Sequence, residues 1–221
     1  MSGPRLVLAS ASPRRRELLS ALGVPFVVDP PRVAEELPER ARDVAAVARR
    51  LAREKALAVA GRHPQAVVLA ADTVVALRGR LLGKPSTPAE AEAMLRLLTG
   101  REHRVVTAVA VARGRRALVA HASTRVRLRP FADAELRAYA RSGDAFDKAG
   151  AYAIQDQAFR PVESYSGCYC NVVGLPLATA AVLLARAGAT PAVDEGCLPA
   201  PCRACALWDA AAPLFSPAGR R

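Results

Sequence analysis

Asp72 interrupts an apolar run, VVLAADTVVAL at residues 67–77. A carboxylate in that setting must be paired, protonated or bound to a metal, because a lone buried charge is too costly. Two readings stand side by side: a structural cap, or an acid facing the ligand crevice at the end of a strand. Lys55 lies on the stripe Val44, Ala48, Leu51, Lys55, Ala58, whose spacings follow one face of a helix. It either snorkels from the helix edge or aims a cation into a cleft. Lys84 sits in Gly83-Lys84-Pro85, which lacks the strand, glycine-rich loop and helix of a P-loop. Glu35 and Glu36 occupy an irregular acidic stretch; they are solvated loop acids or oxygen ligands of a divalent metal such as magnesium.

Arg14, Arg15 and Arg16 crowd the first turn of a helix that opens with Ser12 as N-cap and Pro13 at the first position. Cations are disfavoured at that pole of the macrodipole unless an anion joins them. Backbone N–H groups and arginine forks there suit phosphate oxygens. Two arginines, two lysines and two carboxylates together form a phosphate-and-metal constellation. The other reactive types give less. His63, His103 and His121 are scattered and adjoin no nucleophile motif. Cys197, Cys202 and Cys205 include one Cys-x-x-Cys pair but no fourth ligand, so they read as unpaired thiols rather than a zinc site.

These residues need positioning elements. A short strand at 6–10 leads into the helix at 13–22, which Gly23 ends. Residues 41–60 form an amphipathic helix, and 67–77 a strand that turns at Arg78-Gly79-Arg80. A helix follows Thr87 to Leu98. A long hairpin turns at Arg113-Gly114-Arg115, and helices at 134–141 and 177–187 close the pattern. Interleaved strands and helices with hairpins in the middle predict an α/β fold with a mixed sheet. From residue 188 onward Pro191, Pro199, Pro201, Pro213 and Pro217 punctuate the chain and no period survives, so residues 188–221 read as a disordered tail.

The chain has 221 residues, the size of one domain or one domain with two lobes. No apolar run approaches a membrane span, no signal-peptide pattern opens the sequence, and an odd cysteine count suits a reducing compartment, so a cytoplasmic protein is expected. The net charge is +12, which admits nucleic acid or a polyanionic small molecule. Only Lys55, Lys84 and Lys148 among the 32 basic residues are lysines, and Ile154 and Asn171 are single occurrences, which fits a GC-rich coding bias that makes much of the charge background. A nucleic-acid surface would interleave cations with stacking aromatics, and 5% aromatic content with dispersed arginines does not support it.

The runs LASASPRRRELL (8–19), AREKA (52–56), AADTVV (70–75), GKP (83–85), LTGREHRVVTAVAV (98–111), DKAGAYAIQ (147–155) and NVVGLPL (171–177) resemble, in order and spacing, the Maf-like nucleotide pyrophosphatases. The same portion is similar to the Maf-like part of acetylserotonin methyltransferase-like proteins. The resemblance covers residues 5–187 and implies an elongated mixed twisted sheet flanked by helices, two lobes with a central cleft, and a homodimer. It implies cleavage of nucleoside triphosphates to the monophosphate and pyrophosphate with a divalent metal, magnesium or manganese. It assigns Asp72 as catalytic acid or base and metal ligand, Glu35 as second metal ligand, and Arg15, Lys55 and Lys84 to the phosphates. Arg14, Thr73 and Gln155 match the branch acting on dTTP and UTP; the branch acting on 7-methyl-GTP tends to carry tryptophan where Arg14 stands. This chain has Ala70 and Ala153 where the family usually carries glycine.

Overall fold

A computed structural model describes residues 5–33 and 36–214. Strand β1 (Leu6–Leu8) is fully apolar and buried. It runs into helix α1 (Pro13–Ser20), whose start is set by Pro13 and by Ser12, which accepts the Arg15 amide N–H. Strand β2 (Phe26–Val28) returns parallel to β1. Helix α2 (Val44–Ala60) starts where the Asp43 side chain accepts the Ala46 N–H, three residues later than the hydrophobic pattern predicts. Strand β3 (Val67–Leu77) is parallel to β1 and antiparallel to the short β4 (Arg80–Leu82). Helix α3 (Pro88–Leu98) is capped by Thr87. Strands β5 (Glu102–Arg113) and β6 (Arg116–Leu128) form the long hairpin, followed by helix α4 (Asp133–Arg141). Strand β7 (Val162–Ser166) and helices α5 (Tyr169–Val173) and α6 (Leu177–Arg186) complete the expected elements.

The sheet is mixed, in the order β2-β1-β3-β5-β6-β7, with β4 also on β3. Strand β3 is the spine. Its start, Val67 to Leu69, pairs with β1, and its end, Val75 to Leu77, pairs with β4. Between them, among the described pairings, residues 70–74 are bonded on the β5 side alone. The other edge is therefore open at mid-strand, and that gap separates two lobes.

Alternation along β3 sends successive side chains to opposite faces. Val68, Ala70 and Val74 pack with Ala48, Ala52 and Ala56 of α2, while Leu69 and Ala71 pack with α1 and α6. Val75 and Leu77 join Leu95, Leu98, Leu136 and Tyr139 in the second lobe. Asp72 therefore faces α2 and Thr73 faces away from it. Because the edge beside them is open, side chains from both faces reach one cleft.

The expectation of a disordered tail does not hold for residues 188–214. The Ala192 N–H donates to the Leu22 carbonyl, and Leu198, Cys202, Trp208 and Ala211 are buried in the core shared by α1, β1 and α6. Cys202 shares this core with Cys170 of α5. Helices α7 (Ala200–Arg203) and α8 (Ala206–Ala211) span four and six residues, too short for a helical period to show in the sequence. The described cysteines are free thiols, and among the described residues no three His, Cys, Asp or Glu side chains are grouped to hold a metal. No described helix is long and apolar enough to cross a membrane.

Candidate active site

The gap in β3 opens into a cavity of about 610 Å³, within the size range of small-molecule sites. Its floor is the end of β1 and the first turn of α1, from Ala9 to Arg15. One wall is Lys55, Asp72 and Thr73; the other is Lys84, Asp147, Lys148, Tyr152 and Gln155. Seven of the eight residues assigned from sequence converge there: Arg14, Arg15, Lys55, Asp72, Thr73, Lys84 and Gln155. Glu35, the remaining metal assignment, lies outside the described residues. Glu36 is exposed, and its backbone carbonyl accepts from Arg50.

Lys55 and Asp72 form a buried ion pair, 5% and 4% exposed, with the ammonium donating to Asp72 Oδ1. Each neutralises the other, which answers how a carboxylate survives in an apolar strand. The helical stripe that carried Lys55 inward in the sequence is the face of α2 that packs on β3.

The three arginines diverge as a helix requires. Arg15 turns into the cavity, where Nε donates to the Gly174 carbonyl at 2.9 Å and Nη2 to Thr73 Oγ1 at 3.1 Å. Arg14 reaches across the cavity and donates to the Asp147 carboxylate at 2.6 Å. Lys148 contacts the other oxygen of Asp147 at 2.6 Å. Partial burial opposes ionisation of Asp147, but the hydrogen bonds from Lys148 and Arg14 outweigh it and hold the pKa below its usual value. Arg16 is exposed and lies outside the cavity. Lys84 is exposed at the rim. The N-terminus of α1 lines the same space, so its amides, two arginines and three lysines surround it.

The positive φ near Gln155 falls at Gly150 (73°) and Ala151 (65°), not at Ala153, and Ala70 lies in regular strand. Alanine at those two sites therefore leaves Gln155 on the cavity wall. Gly150 suits its place, since an added Cβ would stand 3.1 Å from a Val75 methyl and the backbone there has a positive φ.

The sequence pattern of the Maf-like protein family matches residues 5–187. The chain belongs to the Maf-like family. Relatives of this Maf-like protein include the dTTP/UTP pyrophosphatase of Thermomicrobium roseum, 58% identical over 205 residues, which are 91% of this chain and 93% of that protein. The dTTP/UTP pyrophosphatase of Symbiobacterium thermophilum is 49% identical over 184 residues, 83% of this chain and 94% of that protein. The enzyme of the same name from Myxococcus xanthus is 52% identical over 183 residues, 83% and 92% of the two chains. At 91% of this chain, the Thermomicrobium match extends past residue 187.

As neighbours in sequence, Asp147 and Lys148 read by residue type alone as a local surface pair. They do pair, but on the cavity wall and with Arg14. The quoted run DKAGAYAIQ held the signal. Tyr152, Thr107 and Asn171 also lie in quoted runs, and Asn171 is the one asparagine of the chain, but residue type and spacing gave none of them a role.

Proposed function

We propose that this protein hydrolyses dTTP and UTP to the nucleoside monophosphate and pyrophosphate. The observation that carries this reading is the convergence of Arg15, Lys84, Lys148 and the α1 N-terminus on one cavity that also holds the Lys55–Asp72 pair. Five or more positive groups around one space suit a triphosphate; of the two described carboxylates on the lining, Asp147 is engaged by Arg14 and Lys148, and Asp72 suits work on water. The relatives' printed activity and the residues Arg14, Thr73 and Gln155 on the wall support thymine and uracil as the bases.

Water would attack the α-phosphorus and pyrophosphate would leave. Asp72 accepts or orients the water proton, with Lys55 holding the carboxylate in place. Arg15 and Lys84 take the charge that grows on the departing pyrophosphate, and the barrier falls through positioning and charge stabilisation. The donor set fits a hard divalent cation: the lining offers carboxylate and hydroxyl oxygens and, among the described residues, no thiol or imidazole. Magnesium typically takes one or two carboxylates plus substrate phosphates, so Asp72 with phosphate oxygens would hold it, joined by Glu35 as the resemblance implies. Such an ion, magnesium or manganese, would offset the charge of the triphosphate.

The deciding experiment is pyrophosphate release from dTTP, UTP, CTP, GTP and 7-methyl-GTP with magnesium or manganese. Turnover confined to dTTP and UTP supports the reading, turnover of 7-methyl-GTP alone moves the chain to the other branch, and no turnover of any removes it. The same reading carries a cytoplasmic homodimer, which light scattering of the purified chain tests.

A further inference from the structure

Asn171 and Thr107 are each fully buried, and both lie behind the cavity wall rather than in it. Asn171 is the one asparagine of the chain. Its side-chain oxygen accepts the Thr107 backbone N–H at 2.8 Å, and its Nδ2 donates to the Val105 carbonyl at 2.9 Å and to Thr124 Oγ1 at 2.8 Å. The backbone partners are a pure donor and a pure acceptor, so the amide can sit only one way round. Thr124 Oγ1 in turn donates to the Cys168 carbonyl and accepts the Cys168 N–H, both at 3.0 Å. Helix α5 is thereby bolted to β5 and β6.

The hydroxyls then run in one direction. Thr107 Oγ1 donates its only hydrogen to the Asn171 carbonyl at 2.7 Å. Thr107 Oγ1 and Thr73 Oγ1 are 2.9 Å apart, and with the Thr107 hydrogen committed, Thr73 must be the donor of that pair. The hydrogen of Thr73 thus points into the protein and only its lone pairs face Arg15, whose Nη2 donates to it at 3.1 Å. The Gly174 carbonyl that accepts from Arg15 Nε stands at the end of the same helix α5.

We infer that Thr107 and Asn171 are positioning residues: they hold the Thr73 hydroxyl as an acceptor and so aim the Arg15 guanidinium into the cavity. The inference rests on the proposed phosphate-binding role of Arg15. It requires Thr107 to act through its hydroxyl, not through its shape. Thr107→Val keeps the shape but removes both the donor to Asn171 and the acceptor for Thr73. The freed Thr73 hydrogen then turns towards Arg15 and opposes its N–H.

The test uses the full chain and two readouts, dTTP kinetics and calorimetric titration with inorganic pyrophosphate. T107V is expected to raise the KM for dTTP and the Kd for pyrophosphate by roughly fivefold, the worth of one hydrogen bond, with kcat within about twofold. T107S keeps the hydroxyl and is expected to restore both values. If T107V does not fold, Thr107→Cys keeps the volume with a poor donor and is expected to show the same loss. A folded T107V or T107C with wild-type pyrophosphate affinity overturns the inference, as does T107S losing as much as T107V. A wild-type chain that binds no pyrophosphate overturns it too. A wild-type chain that binds pyrophosphate but does not hydrolyse dTTP removes the proposed function alone, and the pyrophosphate titrations still judge Thr107.

Discussion

Lys55 of α2 donates to Asp72 of β3 across a helix–sheet contact that buries most of both side chains beside the cavity. The pair ties the candidate chemistry to the folding of the first lobe, because removing either charge strands the other. Breaking a buried pair by deleting one partner typically costs about 3–5 kcal/mol.

Asp72→Asn separates the structural reading of Asp72 from the chemical one. The amide oxygen can still accept from Lys55, so the fold is expected to survive with a moderate loss of stability. Turnover of dTTP is expected to fall by roughly a hundredfold or more, the scale for a positioned acid–base group. Nucleotide binding is expected to persist, since the cations are untouched. A folded variant with near-normal pyrophosphate release would take Asp72 out of the mechanism.

Lys55→Met should behave differently. It fills the same space but leaves the Asp72 carboxylate buried without its ammonium partner. Chemical denaturation is expected to report a larger loss than for Asp72→Asn, and adding the second change, Asp72→Asn, is expected to recover part of it. Two losses that simply add would show that the pair is not coupled.

Arg15→Ala and Arg14→Ala should part company in steady-state kinetics. Arg15 is held inside the cavity by Gly174 and Thr73, so its loss is expected to raise KM about tenfold and weaken inhibition by pyrophosphate. Arg14 is engaged by Asp147, so its loss is expected to loosen the far wall and narrow the ratio of pyrimidine to purine turnover. Identical effects of the two changes on KM and on base preference would contradict these assignments.

Removing residues 188–221 is expected to lower the Tm by more than about 5 °C, because Leu198, Cys202 and Trp208 cover α1 and α6. Differential scanning calorimetry of the shortened chain decides this. A Tm within a degree of the full chain would mean that the packed segment contributes nothing.

His103 supplies a pH signature. Burial lowers its pKa to about 4, and Nε2 bonds the Tyr152 hydroxyl at 2.7 Å. A folded pKa below the unfolded value of about 6.5 gives stability that is present above pH 6.5 and lost as the pH falls towards 4. Over that window the loss is expected to be on the order of 3 kcal/mol at most. His103→Gln should flatten that part of the profile. Asp29, held at about 2 by Arg62 and His63, acts only at lower pH and keeps the two windows apart.

Much of the site was legible in the residues themselves. An acid in an apolar strand, a lysine on an apolar helix stripe and arginines at a capped helix start each break a local rule, and a broken local rule is visible without coordinates. The order of strands and helices was legible too, because Val44–Ala60 is long enough to carry a helical period and Leu6–Leu8 and Val67–Leu77 are continuous apolar runs of the buried-strand kind. Two things were not. The C-terminal segment follows no period, yet it folds: its short helices pack with the apolar face of α6, and Ala192 ahead of them bonds the Leu22 carbonyl, far away in the chain. The pairing of Lys55 with Asp72, of Arg14 with Asp147, and of Arg15 with Thr73 also needed the tertiary structure. Sequence determines which groups are present and which face of their own element they occupy. Which groups meet depends on strand register and on the open edge of β3 at residues 70–74, and those are set by contacts between segments distant in sequence.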